Sequence, residues 1–191
     1  MIARRAFFFL TLLIFAIAGC GPRWVIRTQA VPNPLNGQRK FNLEGMHWEN
    51  LRIGGKGEAE YLAGKDDKQR ASFQEDKAAF QERFIAGLSS RAQGIGLVPA
   101  PPGEAGLYTL RPAVTFFEPG YYAYVAARDS EADITIQIVA QDGKLIDEIT
   151  IHSRVAATMT SPASGGRMRT AGEDIGNVTG KYLLKRTGLD P

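Results

Sequence analysis

A single cysteine, Cys20, occurs among 191 residues, so no intrachain disulfide can form and packing alone must hold the fold. Histidine is almost as scarce, with His47 and His152 the only side chains that ordinarily titrate near neutrality. Neither stands in an H-E-x-x-H spacing, and no cysteine is left to complete a zinc set. No G-x-S-x-G elbow offers either ring a serine nucleophile. The adjacent acids Asp66-Asp67, Glu75-Asp76, Asp147-Glu148 and Glu173-Asp174 point to different faces of a helix or strand, so none forms a dyad by itself. The pattern argues against an enzyme and implies neither cofactor nor metal. Excess charge of one sign is missing too. The formal net charge is +3, and +1 once residues 1–19 are set aside, with no basic stripe to suit a nucleic acid.

What is present begins at the first residues. Arg4 and Arg5 precede Ala6 to Ala18, a run of 13 residues broken only by Thr11. As a helix this run reaches about 20 Å against a hydrocarbon core of about 30 Å, too short to span. Its basic flank and small-residue exit fit a cleaved secretion signal. The exit, Ile17-Ala18-Gly19-Cys20, resembles the bacterial lipobox, in which small side chains enter a peptidase cleft and the thiol takes a lipid. The resemblance implies cleavage after residue 19 and three acyl chains on Cys20, a permanent hold on the membrane. Gly21 stands where many inner-membrane lipoproteins carry Asp, which favours the outer membrane of the cell envelope. No spanning segment follows residue 20. Residues 1–19 are thus expected as signal peptide, 20–39 as a lipidated tether rich in proline and asparagine, and 40–191 as one domain.

Within that domain the spacing predicts a strand over 41–53, ended by Gly54-Gly55-Lys56-Gly57, which lacks the Ser or Thr of a phosphate loop. Residues 66–93 read as the strongest helix, with Phe73, Phe80, Phe84 and Leu88 on one face and Asp66-Asp67 at its start. The proline-rich stretch 98–106 cannot be central sheet. Extended chain is expected over 107–117, a turn at Glu118-Pro119-Gly120, and a short strand over 121–127. Ile134, Ile136 and Ile138 alternate with Thr135, Gln137 and Val139, and Asp142-Gly143 marks a hairpin that returns with Leu145, Asp147, Ile149, Ile151 and Ser153 on one face. A second helix over 167–186 carries Met168, Ala171, Ile175, Val178 and Tyr182 on one face, with Gly188 just past its end. The order implies an α+β fold, with a mainly antiparallel sheet of about four strands and two helices packed on one face.

Gly172, Gly176 and Gly180 recur every four residues in that last helix. Each costs about 1 kcal/mol against alanine, so something must approach closely. A groove for a partner helix would explain them; tight packing on the protein's own sheet is the expected answer.

Phe117-Glu118-Pro119-Gly120, the hairpin around Asp142-Gly143, Gly165-Gly166-Arg167 and Ala171-Gly172-Glu173-Asp174-Ile175 together resemble a family of uncharacterised bacterial envelope lipoproteins. Their fold is related to the amino-terminal domain of the Tol–Pal protein TolB, and the likeness covers roughly residues 40 to 187. The chain departs from that family at Val125 to Ser130, where a glycine-rich stretch is common. The resemblance implies an envelope protein that docks onto other envelope components, with no catalytic residue to carry over. The expected function is therefore a lipid-anchored, non-catalytic adaptor for an envelope protein, with Tyr121, Tyr122 and Tyr124 as a contact patch. A carrier holding a lipid or small molecule between helices and sheet is the alternative, and a hydrolase using His47 or His152 the third reading.

Overall fold

The computed structural model describes residues 23–99, 108–123 and 125–190, so Cys20 and Tyr124 lie outside the described residues. Strands β1 (Trp24–Gln29), β2 (Lys40–Leu43), β3 (Arg52–Ile53) and β4 (Lys56–Gly57) precede helices α1 (Glu58–Ala63) and α2 (Asp67–Arg91). Then come β5 (Gly96–Pro99), β6 (Tyr108–Glu118), β7 (Tyr121–Ala123), β8 (Ala126–Arg128), β9 (Ser130–Val139), β10 (Leu145–Val155) and α3 (Ser164–Thr187). The class is α+β, but the main sheet has eight strands rather than four, in the order β1-β10-β9-β6-β2-β5, with β3 pairing β6 and β4 pairing β3. It is also mixed: β2 runs parallel to both β5 and β6, and β3 to β6. β3 and β4 have two residues each, too short for periodicity to mark them, and the six residues of β1, Trp-Val-Ile-Arg-Thr-Gln, do not alternate.

The central hairpin follows the expected alternation. Ile136 lies opposite Ile149 and Ile134 opposite Ile151, all buried on the helix side. The segment expected as a tether turns out to supply edge strand β1, antiparallel to β10, with Trp24 opposite Ile151. Beyond it Leu35 is fully buried, and the side chain of Asn33 donates to the Arg186 carbonyl at 2.7 Å, so the chain wraps the end of α3. Prolines suit a linker, but they equally suit an ordered wrap that needs few backbone donors.

Helix α2 starts where Asp66 caps it. The Gln69 N–H donates to Asp66 Oδ1 at 2.8 Å, and the Gln69 side chain returns a bond to the Asp66 N–H. Its stripe Phe73, Phe80, Phe84 and Leu88 is buried as expected. Phe117 of β6 packs edge-on against Trp48, Phe73 and Phe80, with centroids 5.4 to 5.8 Å apart. Helix α3 ends at Gly188 in the left-handed conformation.

The glycine ladder packs onto α2, not onto the sheet. A Cβ at Gly176 would stand 2.2 Å from the Phe84 carbonyl oxygen, and one at Gly172 would stand 2.5 Å from that of Phe80. Gly87 of α2 answers from the other side, its missing Cβ 2.3 Å from the Glu173 carbonyl oxygen. The partner helix that such spacing invites is thus a helix of the same chain.

Two charges are buried beneath α3. Asp147, fully buried on β10, accepts from Tyr182 Oη and Arg186 Nε, both at 2.6 Å, and from the Ala30 N–H at 3.1 Å. Burial pushes the Tyr182 hydroxyl well up, and the bond to Asp147 adds to this, so it stays a donor. Arg167 is fully buried, and among the described residues its hydrogen-bond acceptors include no carboxylate. It donates to Ser130 Oγ at 2.8 Å, to the Ser161 and Pro162 carbonyls at 2.8 and 2.7 Å, and to that of Pro119 at 3.3 Å.

The obstacle at Gly176 is backbone that cannot swing aside. Gly176→Ala is expected to destabilise the protein by about 1–3 kcal/mol through overpacking, despite the better helix former. Gly166→Ala, in the same helix with nothing within 4 Å of the new methyl, should stabilise by up to about 1 kcal/mol. Thermal unfolding of the two variants checks this, and shifts of the same sign would overturn the packing account.

Candidate docking surface

Alternation along the strands divides the sheet into two faces. The inner face is aliphatic and covered by helices; the outer carries Asp133, Thr135 and Gln137 of β9 and Glu148, Thr150 and His152 of β10. These outer side chains are half-buried or exposed. A shallow groove of about 530 Å³ runs over this face, lined by Arg23, Arg27, Thr115, Asp133, Thr150 and His152 among others. Charges of both signs interleave there. Gln137 Nε2 donates to Glu148 at 2.7 Å, and Arg111 Nε to Glu44 at 2.9 Å. A face of this kind suits a polar partner rather than a polyanion.

His152 is exposed and His47 half-buried. His152 Nδ1 lies 2.6 Å from Asp133 Oδ1, and His47 Nε2 lies 3.2 Å from Glu44 Oε2. A carboxylate that orients a ring is half of a catalytic arrangement, the other half being a nucleophile. The hydroxyl of Thr115, in the same groove as His152, instead points to the Asp133 carbonyl at 3.4 Å. Among the described residues no cluster of three or more His, Cys, Asp or Glu could hold a metal ion.

The space expected to serve a carrier, between helices and sheet, is occupied by Phe41, Phe80, Phe84, Phe117, Leu88 and Ile136, all fully buried in one continuous cluster. A second hollow, of about 270 Å³, lies outside it where Ile85 and Ser89 of α2 overhang Leu43 and Leu97.

One end of the sheet bears Tyr121 and Tyr122. The chain over 121–127, expected as a single short strand, is a hairpin: Tyr121 pairs with Arg128 and Tyr122 with Ala127. Its turn lacks the glycine, asparagine or aspartate that normally marks such a bend, which hid it from the sequence. Tyr121 is exposed and Tyr122 half-buried, on opposite faces of the strand, so the structure does not bring them together as one patch. The base of the hairpin is tightly packed. Gly120, at φ +65°, leaves no room for a Cβ, which would meet the Arg128 carbonyl oxygen at 2.3 Å. Arg167, Ser130 and Pro119 join immediately below it.

The entry of the chain is pinned toward the same end of the sheet. Arg23 donates to Asp174 of α3 through both terminal nitrogens, one bond measuring 2.6 Å, and Ser153 Oγ donates to the same carboxylate at 2.8 Å. Burial raises the Asp174 carboxyl, and the bonds from Arg23 and Ser153 more than reverse this, holding it below its usual range. Sequence reasoning missed this clamp and the buried Asp147 network alike. The one available signal was Asp147 itself, a charge on the aliphatic side of an alternating strand.

No protein-family model matches the chain, and no curated protein matches it. The PelC dodecamer from Paraburkholderia phytofirmans aligns with 81% of this chain and 96% of its own, at 9% identity and a TM-score of 0.47. A hypothetical protein of Chlamydia trachomatis aligns with 78% of this chain and 99% of its own, at 7% identity and a TM-score of 0.46.

A carboxyl with a depressed native pKa contributes stability that is complete above its unfolded value and is lost as pH falls through the native one. The wild type should therefore lose stability as acid is added below about pH 4. Arg23→Ala, which brings Asp174 back toward its ordinary range, should make that acid limb shallower. Denaturant midpoints measured across the acid range check this, and parallel limbs for the two proteins would refute the clamp.

Proposed function

We propose that the chain is a lipid-anchored envelope lipoprotein, held through acyl chains on Cys20 at the outer membrane, and acts as a non-catalytic adaptor for an envelope protein. The observation that carries this reading is the division of the sheet. Its inner face is fully used by the protein's own helices, while its outer face is open, mixed in charge and flanked by edge strand β1. Val25 and Ile26 of that edge are exposed, so a partner could add a strand and cover apolar surface together. The lipobox-like residues and the likeness to TolB-domain lipoproteins favour the same setting.

Two measurements test it. Mass spectrometry of the matured protein should find a chain beginning at Cys20 and carrying acyl groups; a different or unmodified start would overturn the anchor. Photo-crosslinkers placed at Thr150 and Val25 in cells should join the lipidated protein to one discrete envelope protein and lose it with Cys20→Ala. Absence of any discrete product at both positions, with the anchor intact, would overturn the adaptor.

A further inference from the structure

Strand register shows where the chain enters the fold. Trp24 lies opposite Ile151, and β10 then runs four more residues to Val155, about 13 Å at about 3.3 Å per residue. Val155 pairs with Ser130 and Glu131 with Glu118, so hairpin β7–β8 projects beyond the end of the sheet from which the chain enters. Cys20 is only four residues before Trp24, a reach of at most about 14 Å even fully extended. Arg23, three residues after Cys20, is already held by Asp174.

The hairpin is chemically odd for a projection into water. Residues 121–127 read Tyr-Tyr-Ala-Tyr-Val-Ala-Ala, without a charge, and Val125 at the turn is 97% exposed. Met159, 73% exposed, lies two residues past Ala157, whose N–H donates to Asp129 at the foot of the hairpin. Arg128 and Arg154 flank the group, paired with Glu118 and Asp129. Apolar tips beside arginines and a tyrosine match the layered chemistry of a bilayer interface.

We propose that hairpin β7–β8 seats in the bilayer to which Cys20 is anchored, with Val125 and Met159 entering the interface. This rests on the anchor proposed above. The contact would turn a single lipid tether into a fixed orientation, with the strands standing on the membrane and the outer sheet face held upright for its partner.

The test uses the full, matured chain in vesicles of phosphatidylethanolamine and phosphatidylglycerol. With the Cys20 sulfur in a thioether, Val125→Cys, Met159→Cys or Asp142→Cys each provides one reactive thiol for an environment-sensitive fluorophore. Asp142 occupies the turn at the opposite end of the sheet. Labels at 125 and 159 should shift to the blue and be quenched by brominated acyl chains; the label at 142 should do neither. Floated protein with all three labels alike and water-exposed overturns the hairpin contact alone, including the case where the tip serves a protein partner. Matured protein that does not float with the vesicles removes the anchor and the contact with it. All three labelled positions are at exposed turns, where substitution leaves the core intact.

Discussion

Close approach of α2 and α3 through glycine is the constraint on which the other contacts depend. Where most helix pairs keep side chains between them, here the backbone carbonyls of Phe80, Phe84 and Glu173 sit where a methyl group would be. The loss in helix propensity at Gly87, Gly172, Gly176 and Gly180 is offset by backbone-to-backbone dispersion and by weak Cα–H···O contacts of about 0.5–1 kcal/mol each. The result is a helix pair with one relative position. Because α3 has 24 residues, about 36 Å, it runs the length of the eleven-residue strand β10 and fixes both ends of the sheet at once.

That alignment explains how two charges tolerate burial. Near its end α3 brings Tyr182 and Arg186 onto Asp147; near its start it delivers Arg167 to the carbonyls at the base of the hairpin. Removing one partner of such a buried pair typically costs about 3–5 kcal/mol, although the pair itself adds little net stability. Their effect is positional. Asp147 ties β10 to α3 and, through Ala30, to the end of β1, while Arg167 holds the turn after β6 to the start of β9. Misplacement of α3 would leave Asp147 and Arg167 without their hydrogen-bond partners in the core.

These constraints bear on the proposed function through geometry. Arg23 and Ser153 both bond Asp174, which joins the chain entry and β10 to α3 beside the open polar face. Attached by a short lipidated segment, the domain would present its outer face in a defined direction rather than sampling the periplasm on a loose tether. The adaptor reading gains from this, since a preset orientation lowers the entropic cost of docking.

The sequence by itself determined the central hairpin, both long helices with their buried faces, and the α+β class. In each, period and capping residues act over a few neighbouring positions: Ile134 to Ile138, the Phe73 to Leu88 stripe, Asp66 with Gln69, Gly188. Only the tertiary structure decided that Trp24–Gln29 is a strand, that β2 pairs in parallel on both sides, that residues 121–127 form a hairpin, and that the glycine ladder faces α2. Of the candidate residues, Tyr121 and Tyr122 were legible as adjacent positions of a strand, which alternation sets on opposite faces, but not as part of a hairpin arm. The physical reason is the same throughout. Short strands, glycine contacts and ion pairs such as Arg23 with Asp174 derive their energy from residues remote in the chain, separated here by 151 positions, and no local period records them.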